Sequence, residues 1–422
     1  MKQGSNYRLR IADGLVEAAL KRAGAVQITG PKWCGKTTTA EQFARTSIYF
    51  QDPDHRDSYQ RIASEQPSLL LRGERPLLLD EWQDAPQMWD AVRFAVDREQ
   101  ELGQFILTGS TIHDNRHIAH SGTGRFAKVT MRTMSLFESG ESSGEVTLAS
   151  VLNGDDVYST TKTSLDDIAR IIVRGGWPLS VTHPDPGSQE RARDYVESII
   201  DSDISRVDGV DKNPIRVRLL LRSLARNEST PATMTTLRTD MDPHHSTLST
   251  NTISVYLTAL RRLYVTEDQE AWPLAVRSKT AIRTSSVRRF CDPSLPAAIL
   301  NLTPDKMLVD FNAFGVLFES LCIRDLRVYA ESVGAKVYHY LDGRGLEADA
   351  IIEWPDGRWG AIEIKLQSTQ EEKAVESLNA VQRLVHSQHG GPASFLMIVT
   401  SDGIARRRPD GIYTVPITCL AP

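Results

Sequence analysis

One stretch near the start of the chain decides the fold around it: Gly30-Pro31-Lys32-Trp33-Cys34-Gly35-Lys36-Thr37. An apolar run, Ala25–Thr29, precedes it, and good helix formers follow over Thr37–Arg45. The pattern predicts a buried strand, a glycine-rich turn and a helix. Glycines let backbone N–H groups turn onto a phosphate, and the helix N-terminus adds positive potential there. The spacing G-x-x-x-x-G-K-[ST] therefore predicts a loop that binds ATP.

Individual residues of this loop have predicted roles. Lys36 would act on the β- and γ-phosphates as a catalytic cation, and the Thr37 hydroxyl would ligate Mg²⁺. The remaining positions are expected to contact the nucleotide, mainly through backbone N–H groups: Gly30, Pro31, Lys32, Trp33, Cys34, Gly35 and Thr38. The competing interpretation is a chance match in a tight strand–helix turn.

A second apolar run, Leu77–Glu81, ends in two acids. On a buried strand, Asp80 would lie near Mg²⁺, while Glu81 would act as the catalytic residue that orients and polarises water. The other interpretation is a strand followed by two solvated carboxylates.

Two further polar positions follow along the chain. Thr108 or Ser110, at the end of the apolar run Phe105–Leu107, would lie beside the second strand and sense the γ-phosphate, or would merely end a strand. Arg125 is predicted to bind nucleotide as an arginine finger, in its own or a neighbouring subunit. A solvated surface arginine is the alternative.

The length of 422 residues exceeds what one hydrophobic core usually organises. Strands alternating with helices over residues 1–150 predict a parallel-sheet P-loop ATPase domain of the α/β class. Residues 151–300 are predicted to be helical and to include a winged-helix-like part, because an amphipathic helix over Thr247–Val265 precedes a hairpin-like segment, Thr266–Trp272. Residues 301–422 are predicted to form a C-terminal α/β domain.

The net charge of −5 gives no global argument for nucleic acid or membrane binding. Between Arg206 and Arg289, however, 14 Lys and Arg residues face 8 Asp and Glu residues, a local excess of +6. This segment predicts DNA phosphate contacts by five arginines, or else a charged helix face that packs against the first domain. The five are Arg261, Arg262, Arg283, Arg288 and Arg289. No apolar run approaches the roughly 20 residues of a membrane span, so the expected compartment is the cytoplasm.

The last 110 residues or so read as helix, three strands, helix and strand. Two strands, Ala348–Trp354 and Trp359–Ile364, flank Pro355-Asp356-Gly357, which predicts a hairpin turn because proline presets φ and glycine accepts a positive φ. The preceding helix is predicted over Ala313–Val328.

A group of acids and a lysine is predicted to converge on this hairpin. Glu363 and Lys365 are two apart on one strand and share a face, and Asp349 lies on the other arm. With Glu319 from the helix, the carboxylates would hold a second Mg²⁺ or Mn²⁺, while Glu363 and Lys365 would serve catalysis. The alternative is a charged hairpin end without metal.

The order of these motifs resembles a family of bacterial and archaeal AAA-type ATPases with a C-terminal domain of uncharacterised function. The resemblance covers nearly the whole chain and rests on six motifs: Tyr7…Arg10, Gly30–Thr37, Leu77–Glu81, Ile106–Ser110, Gly124-Arg125 and Gly175-Gly176-Trp177-Pro178. Trp33-Cys34 departs from the smaller residues usual there. The resemblance implies ATPase activity and, for the C-terminal domain, a fold similar to PD-(D/E)XK nucleases, which are restriction-endonuclease-like.

Three functional hypotheses follow. In the first, the ATPase domain controls a DNA-binding and DNA-cleaving C-terminal half. In the second, that half is an inactive scaffold for protein partners and ATP acts as a slow switch. The third, a small-molecule kinase, lacks a visible acceptor or lid motif. The oligomeric state stays open.

Overall fold

The computed structural model describes residues 7–111, 122–184, 187–241, 249–273, 286–389 and 391–422. The chain divides into two compact units. Unit 1 comprises Met1–Thr133, Ile204–Asp211 and Ala259–Val265, and unit 2 comprises the rest. The division into three domains at residues 150 and 300 stays a prediction.

Unit 1 contains a sheet whose five described strands are all parallel, in the order β2-β3-β4-β1-β5. The strands are β1 Ala25–Thr29, β2 Thr46–Tyr49, β3 Leu77–Asp80, β4 Phe105–Gly109 and β5 Phe126–Thr130. The helices are α1 Ile11–Leu20, α2 Lys36–Glu41, α3 Arg56–Glu65 and α4 Met88–Glu99. This confirms the predicted parallel-sheet α/β architecture.

Both faces of this sheet are buried, as its near-continuous apolar strands require. In β3, Leu77 and Leu79 pack into one hydrophobic cluster, while Leu78 between them packs into another on the opposite face. Successive side chains of a strand alternate between faces, so the sheet separates two cores. The helix after the phosphate loop, α2, is shorter than predicted: it ends at Glu41 rather than at Arg45.

Unit 2 is helical in its first half, as predicted. The helices that follow Thr133 along the chain are α5 Leu136–Ser139, α6 Leu148–Asn153, α7 Leu165–Arg174, α8 Pro178–Thr182, α9 Ser188–Ser198, α10 Ile204–Arg206, α11 Pro214–Arg226, α12 Met234–Met241, α13 Thr250–Arg262, α14 Ser294–Ile299, α15 Pro304–Val309, α16 Phe311–Ser332 and α17 Glu371–His389. Of these, α10 and the end of α13 belong to unit 1, and the others belong to unit 2. A π-helical turn, Ile199–Asp203, joins α9 to α10.

The strands of unit 2 form one large sheet and two small ones. They are β6 Val146–Thr147, β7 Tyr158–Thr160, β8 Thr266–Gln269, β9 Val287–Phe290, β10 Lys336–Leu341, β11 Glu347–Glu353, β12 Trp359–Lys365, β13 Phe395–Thr400, β14 Ile404–Arg407, β15 Tyr413–Pro416 and β16 Leu420–Ala421. The large sheet has the order β10-β11-β12-β13-β15-β14-β7. Strands β8 and β9 form an antiparallel pair, and β16 pairs in parallel with β6.

The predicted hairpin is confirmed between β11 and β12. Gly357 has φ 85°, and the Trp354 amide donates to the Arg358 carbonyl at 2.9 Å. The chain then crosses through α17 to β13, which is parallel to β12. The predicted order of helix, three strands, helix and strand is therefore present.

Among the described residues, no helix combines the length and the apolar character needed to cross a membrane.

Candidate nucleotide-binding site

The phosphate loop joins the end of β1 to the start of α2, as predicted, and its backbone requires glycine at both ends. Gly30 has φ 149° and Gly35 has φ 101°, a region that residues with a Cβ rarely adopt. A Cβ on Gly30 would lie 2.2 Å from the Met131 carbonyl oxygen, just after β5. The loop is thus packed against backbone where Gly30 stands.

Lys36 lies inside the loop. Its side chain is buried, and Nζ donates to the carbonyls of Gly30 at 3.1 Å and Pro31 at 2.8 Å. Its ammonium is therefore held against the loop backbone, and its contact with phosphates stays a prediction.

The other loop residues differ in exposure. Trp33 is exposed and has φ 64°, whereas Cys34 is buried beneath the loop. Pro31 is buried, Lys32 is half-buried and Thr38 is exposed on α2. Because these positions would act mainly through backbone N–H groups, the mixed side-chain exposure is compatible with their predicted role.

At the carboxyl ends of β3 and β4, two hydroxyl groups donate hydrogen bonds to the same carboxylate oxygen. Asp80 Oδ1 accepts hydrogen bonds from Thr37 Oγ1 at 2.7 Å and from Thr108 Oγ1 at 2.6 Å. Burial raises the pKa of Asp80, while the hydrogen bonds from Thr108 and Thr37 oppose this shift. A carboxylate and a hydroxyl in contact supply the hard oxygen ligands that Mg²⁺ prefers, so Thr37 and Asp80 fit the predicted metal site.

Glu81 follows directly in a left-handed conformation, with φ 52° and ψ 48°. Its backbone N–H donates to Thr108 Oγ1 at 3.1 Å, so the Thr108 hydroxyl joins both acids. The Glu81 carboxylate accepts a hydrogen bond from Ser110 Oγ at 3.1 Å and another from Gln83 Nε2. Ser110 and Gln83 therefore hold the carboxylate expected to orient water. The sequence indicated no role for Gln83.

Arg125 lies at the other end of the sheet. Its carbonyl accepts a hydrogen bond from the Ala25 amide, at the start of β1, whereas the phosphate loop begins after Thr29. These ends are about 13 Å apart along the strand. The Arg125 side chain binds Asp97 at 2.7 Å and is 45% exposed. The structure does not bring Arg125 to the loop of its own chain, so only the version with a neighbouring subunit stays a prediction.

Residues 22–139 match the AAA domain family. The phosphate loop, Asp80, Glu81 and Thr108 all lie within that match. This part of the chain is therefore similar to AAA domains in sequence and has the parallel-sheet architecture of P-loop proteins. Residues 165–306 match a domain of unknown function (DUF8612), and residues 314–420 match another (DUF4143).

Two curated relatives are uncharacterized proteins. These are Rv2008c of Mycobacterium tuberculosis and Mb2031c of Mycobacterium bovis, each 24% identical over 365 residues, which is 85% of this chain and 74% of theirs. Among solved structures, the chain is similar to the Walker-type ATPase PABY2304 of Pyrococcus abyssi, with 12% identity and a TM-score of 0.43. That similarity covers 71% of this chain and 97% of the other.

The motif Tyr7…Arg10 lies against the AAA-like loop. The Arg10 guanidinium is buried and donates from Nη1 to the Cys34 carbonyl at 2.8 Å and from Nη2 to the Arg132 carbonyl at 2.9 Å. The sequence marked this motif only through the family resemblance, because nothing local links residue 10 to residues 34 and 132.

The predicted C-terminal cluster is assembled within unit 2. Lys365 Nζ lies 2.7 Å from Glu363 Oε2 and 3.9 Å from Asp349 Oδ2. Burial, with Asp349 nearby, raises the pKa of Glu363 to about 8. Burial also raises the pKa of Glu319 to about 7, although Arg289 opposes the shift.

The structure does not support the predicted metal site at this cluster. Among the described residues, no group of three or more His, Cys, Asp and Glu side chains is placed to hold a metal ion. Glu319 pairs with Arg289 at 2.6 Å and Glu363 pairs with Lys365, while Asp349 Oδ2 accepts the Ile364 amide at 2.7 Å. The second Mg²⁺ or Mn²⁺ expected at Glu319, Asp349 and Glu363 is therefore not supported, because cationic side chains and backbone occupy these carboxylates.

The predicted DNA-contacting arginines are not a free basic face. Arg289 is 2% exposed and also donates to Gln269 and Ser229, and Arg288 donates to the Ala232 carbonyl. Arg261 and Arg262 are half-buried. Arg283 lies outside the described residues.

Proposed function

We propose that this chain binds ATP·Mg²⁺ at Gly30–Thr37 and hydrolyses ATP with Lys36 and Glu81. The observation that carries the proposal is the 2.7 Å hydrogen bond from Thr37 Oγ1, at the end of the phosphate loop, to Asp80 Oδ1 at the end of β3. The AAA domain match over residues 22–139 supports it independently.

Each side chain would then do one task. Lys36 neutralises charge on the β- and γ-phosphates, and Thr37 and Asp80 would hold Mg²⁺. When bound, Mg²⁺ would neutralise phosphate charge and help to orient the nucleotide. Glu81, held by Ser110 and Gln83, orients the attacking water by accepting a hydrogen bond from it.

Substitution of Glu81 separates binding from turnover. Glu81→Gln should retain ATP affinity and lose at least about 100-fold in kcat, because an amide cannot accept a proton from water. Steady-state phosphate release and nucleotide binding measure the two effects. Glu65→Gln, on an exposed part of α3, is the matched control and should keep wild-type turnover. Unchanged kcat in Glu81→Gln would remove Glu81 from catalysis. ATP consumption only with an added acceptor would favour the kinase hypothesis.

For unit 2 we propose a binding role, with ATP as a switch, rather than metal-dependent DNA cleavage. The pairing of Glu319 with Arg289 and of Glu363 with Lys365 favours this alternative, since paired carboxylates must give up their cations before they can ligate a metal. Supercoiled plasmid incubated with Mg²⁺ or Mn²⁺ should remain uncut. Cutting that disappears in Lys365→Ala would contradict the binding role and support cleavage. Retention of uncut plasmid would identify DNA as a partner, and its absence would favour a protein partner.

A further inference from the structure

One arginine outside the phosphate loop holds two backbone segments at once. The Arg10 guanidinium bridges the carbonyl of Cys34, inside the loop, and that of Arg132, which follows β5. The loop already approaches this segment at Gly30, where a Cβ would meet the Met131 carbonyl oxygen. Arg10 therefore fixes the spacing between the loop and the chain after β5 at a second point.

The contact with Cys34 also sets the direction of a loop amide. The Cys34 carbonyl and the Gly35 N–H belong to one planar peptide unit, and in a trans peptide they point in opposite directions. A carbonyl held by Arg10 therefore turns the Gly35 N–H away from Arg10. Only arginine offers several donors in a rigid fork that can bind two separate carbonyls, and a lysine ammonium lacks that fixed geometry.

Arg10 directly precedes α1 and is itself held by Asp13, in the first turn of that helix. Its backbone N–H donates to Asp13 Oδ2 at 2.8 Å, and the Tyr7 hydroxyl donates to Asp13 Oδ1 at 2.7 Å. The Tyr7 hydroxyl also lies 2.9 Å from Thr39 Oγ1, on α2. Residues 7–13 thus contact both the phosphate loop and the helix that follows it.

We propose that Arg10 is a positioning residue of the ATP site, which presets the backbone of the phosphate loop for the nucleotide. The proposal rests on the proposed ATPase function and adds to it a residue that does not touch the nucleotide. Tyr7 and Asp13 support Arg10 in this role. The motif Tyr7…Arg10 then has a physical purpose: it keeps the loop in its binding conformation.

Two readouts test Arg10 in the full-length protein. Arg10→Met keeps the aliphatic stem without donors, and Arg10→Lys keeps the charge without the fork. Arg22→Met, at an exposed position two residues after α1, is the control. Without nucleotide, the amides of Trp33–Lys36 should exchange hydrogen faster in both Arg10 variants. With ATP, KM should rise about tenfold, equivalent to a lost charge-assisted hydrogen bond. Meanwhile kcat should change less than about twofold, since a residue that only presets the loop for binding raises KM and leaves kcat unchanged when it is lost.

Tyr7→Phe should shift both readouts in the same direction by a smaller factor. Wild-type exchange and wild-type KM in both Arg10 variants would overturn the proposal, as would a lowered melting temperature with unchanged KM. If the wild-type protein itself fails to hydrolyse ATP, the proposed function fails. The exchange experiment would still decide whether Arg10 holds the loop.

Discussion

At the scale of single residues, the Thr108 hydroxyl shows how one group can serve two acids. It donates to Asp80 Oδ1 and accepts from the Glu81 N–H, and its side chain is fully buried. The sequence suggested Thr108 as a γ-phosphate sensor. The structure places it as a bridge between the two acids, through the parallel pairing of β3 with β4, and the sensing role stays a prediction.

Removal of this hydroxyl should harm the site without a change of shape. Thr108→Val leaves the half-buried Glu81 N–H without its acceptor, which typically costs about 1–3 kcal/mol of unfolding free energy. The Mg²⁺ concentration for half-maximal ATPase activity should rise, because Asp80 loses one of its two hydroxyl donors. Denaturant unfolding and a Mg²⁺ titration measure these effects, with Thr130→Val at the end of β5 as control. A variant with wild-type stability and Mg²⁺ dependence would contradict the bridging role.

At the scale of elements, two glycines of unit 1 should respond oppositely to the same change. Gly30→Ala forces a Cβ to within 2.2 Å of the Met131 carbonyl oxygen at φ 149°, so the loop must shift and ATP affinity should fall by about tenfold or more. Gly14 lies within α1, and a Cβ added there would have no neighbouring atom within 4 Å. Gly14→Ala should therefore raise the free energy of unfolding by about 0.5–1 kcal/mol.

Nucleotide titration and denaturant unfolding of both variants decide this pair. Full ATP affinity in Gly30→Ala would show that the loop does not depend on the close approach to Met131.

The motif Gly175-Gly176-Trp177-Pro178 has a structural explanation in unit 2. A Cβ on Gly175 would lie 2.4 Å from Asp292 Oδ1, and the Gly176 N–H donates to the same carboxylate at 2.9 Å. Asp292 in turn pairs with the buried Arg324 at 3.2 Å. The two glycines therefore allow backbone to reach a buried ion pair, which explains why the helix α7 stops there.

A buried carboxyl should make the stability of unit 2 depend on pH. Glu228 accepts hydrogen bonds from Ser320 Oγ at 2.8 Å and from the Phe290 N–H at 3.2 Å, and burial raises its pKa to about 7. At pH values between the pKa of Glu228 in the unfolded chain and its pKa of about 7 in the folded protein, the folded state keeps a proton that the unfolded state releases. This stabilisation is complete below the unfolded pKa and is lost as the pH rises through about 7.

Urea unfolding at pH 5 to 8 checks this expectation. From pH 5 to pH 8, the free energy of unfolding of the wild-type protein should fall by on the order of 1–3 kcal/mol more than that of Glu228→Gln. Glu319 and Glu363 shift in the same direction, so the variant should retain part of the dependence. Equal slopes in the two proteins would contradict the assignment to Glu228.

At the scale of the whole molecule, the sequence predicted the features that depend on neighbours along the chain. These include the strand, loop and helix around Lys36, the strand ending at Asp80 and the hairpin at Gly357. The sequence could not predict partners far apart in the chain, such as Arg289 on Glu319. Which cation reaches a carboxylate depends on packing, and this is why the predicted metal cluster proved to be paired with Arg289 and Lys365.

The same limit explains Arg125. Its position after glycine in a small-residue loop resembled that of an arginine finger. Whether it could reach phosphate depended on which end of β5 it occupied. The parallel pairing of β5 with β1 places it at the end opposite the phosphate loop.

Calorimetric titration of the purified protein with ATP in the presence of Mg²⁺ is the decisive test of nucleotide binding at Gly30–Thr37. We expect saturable heat with one ATP bound per chain. In Lys36→Ala, which lacks the ammonium that would contact the phosphates, this binding should be lost or weakened at least about 100-fold. Absence of binding heat across several temperatures in folded wild-type protein, or equal affinity in Lys36→Ala, would contradict it.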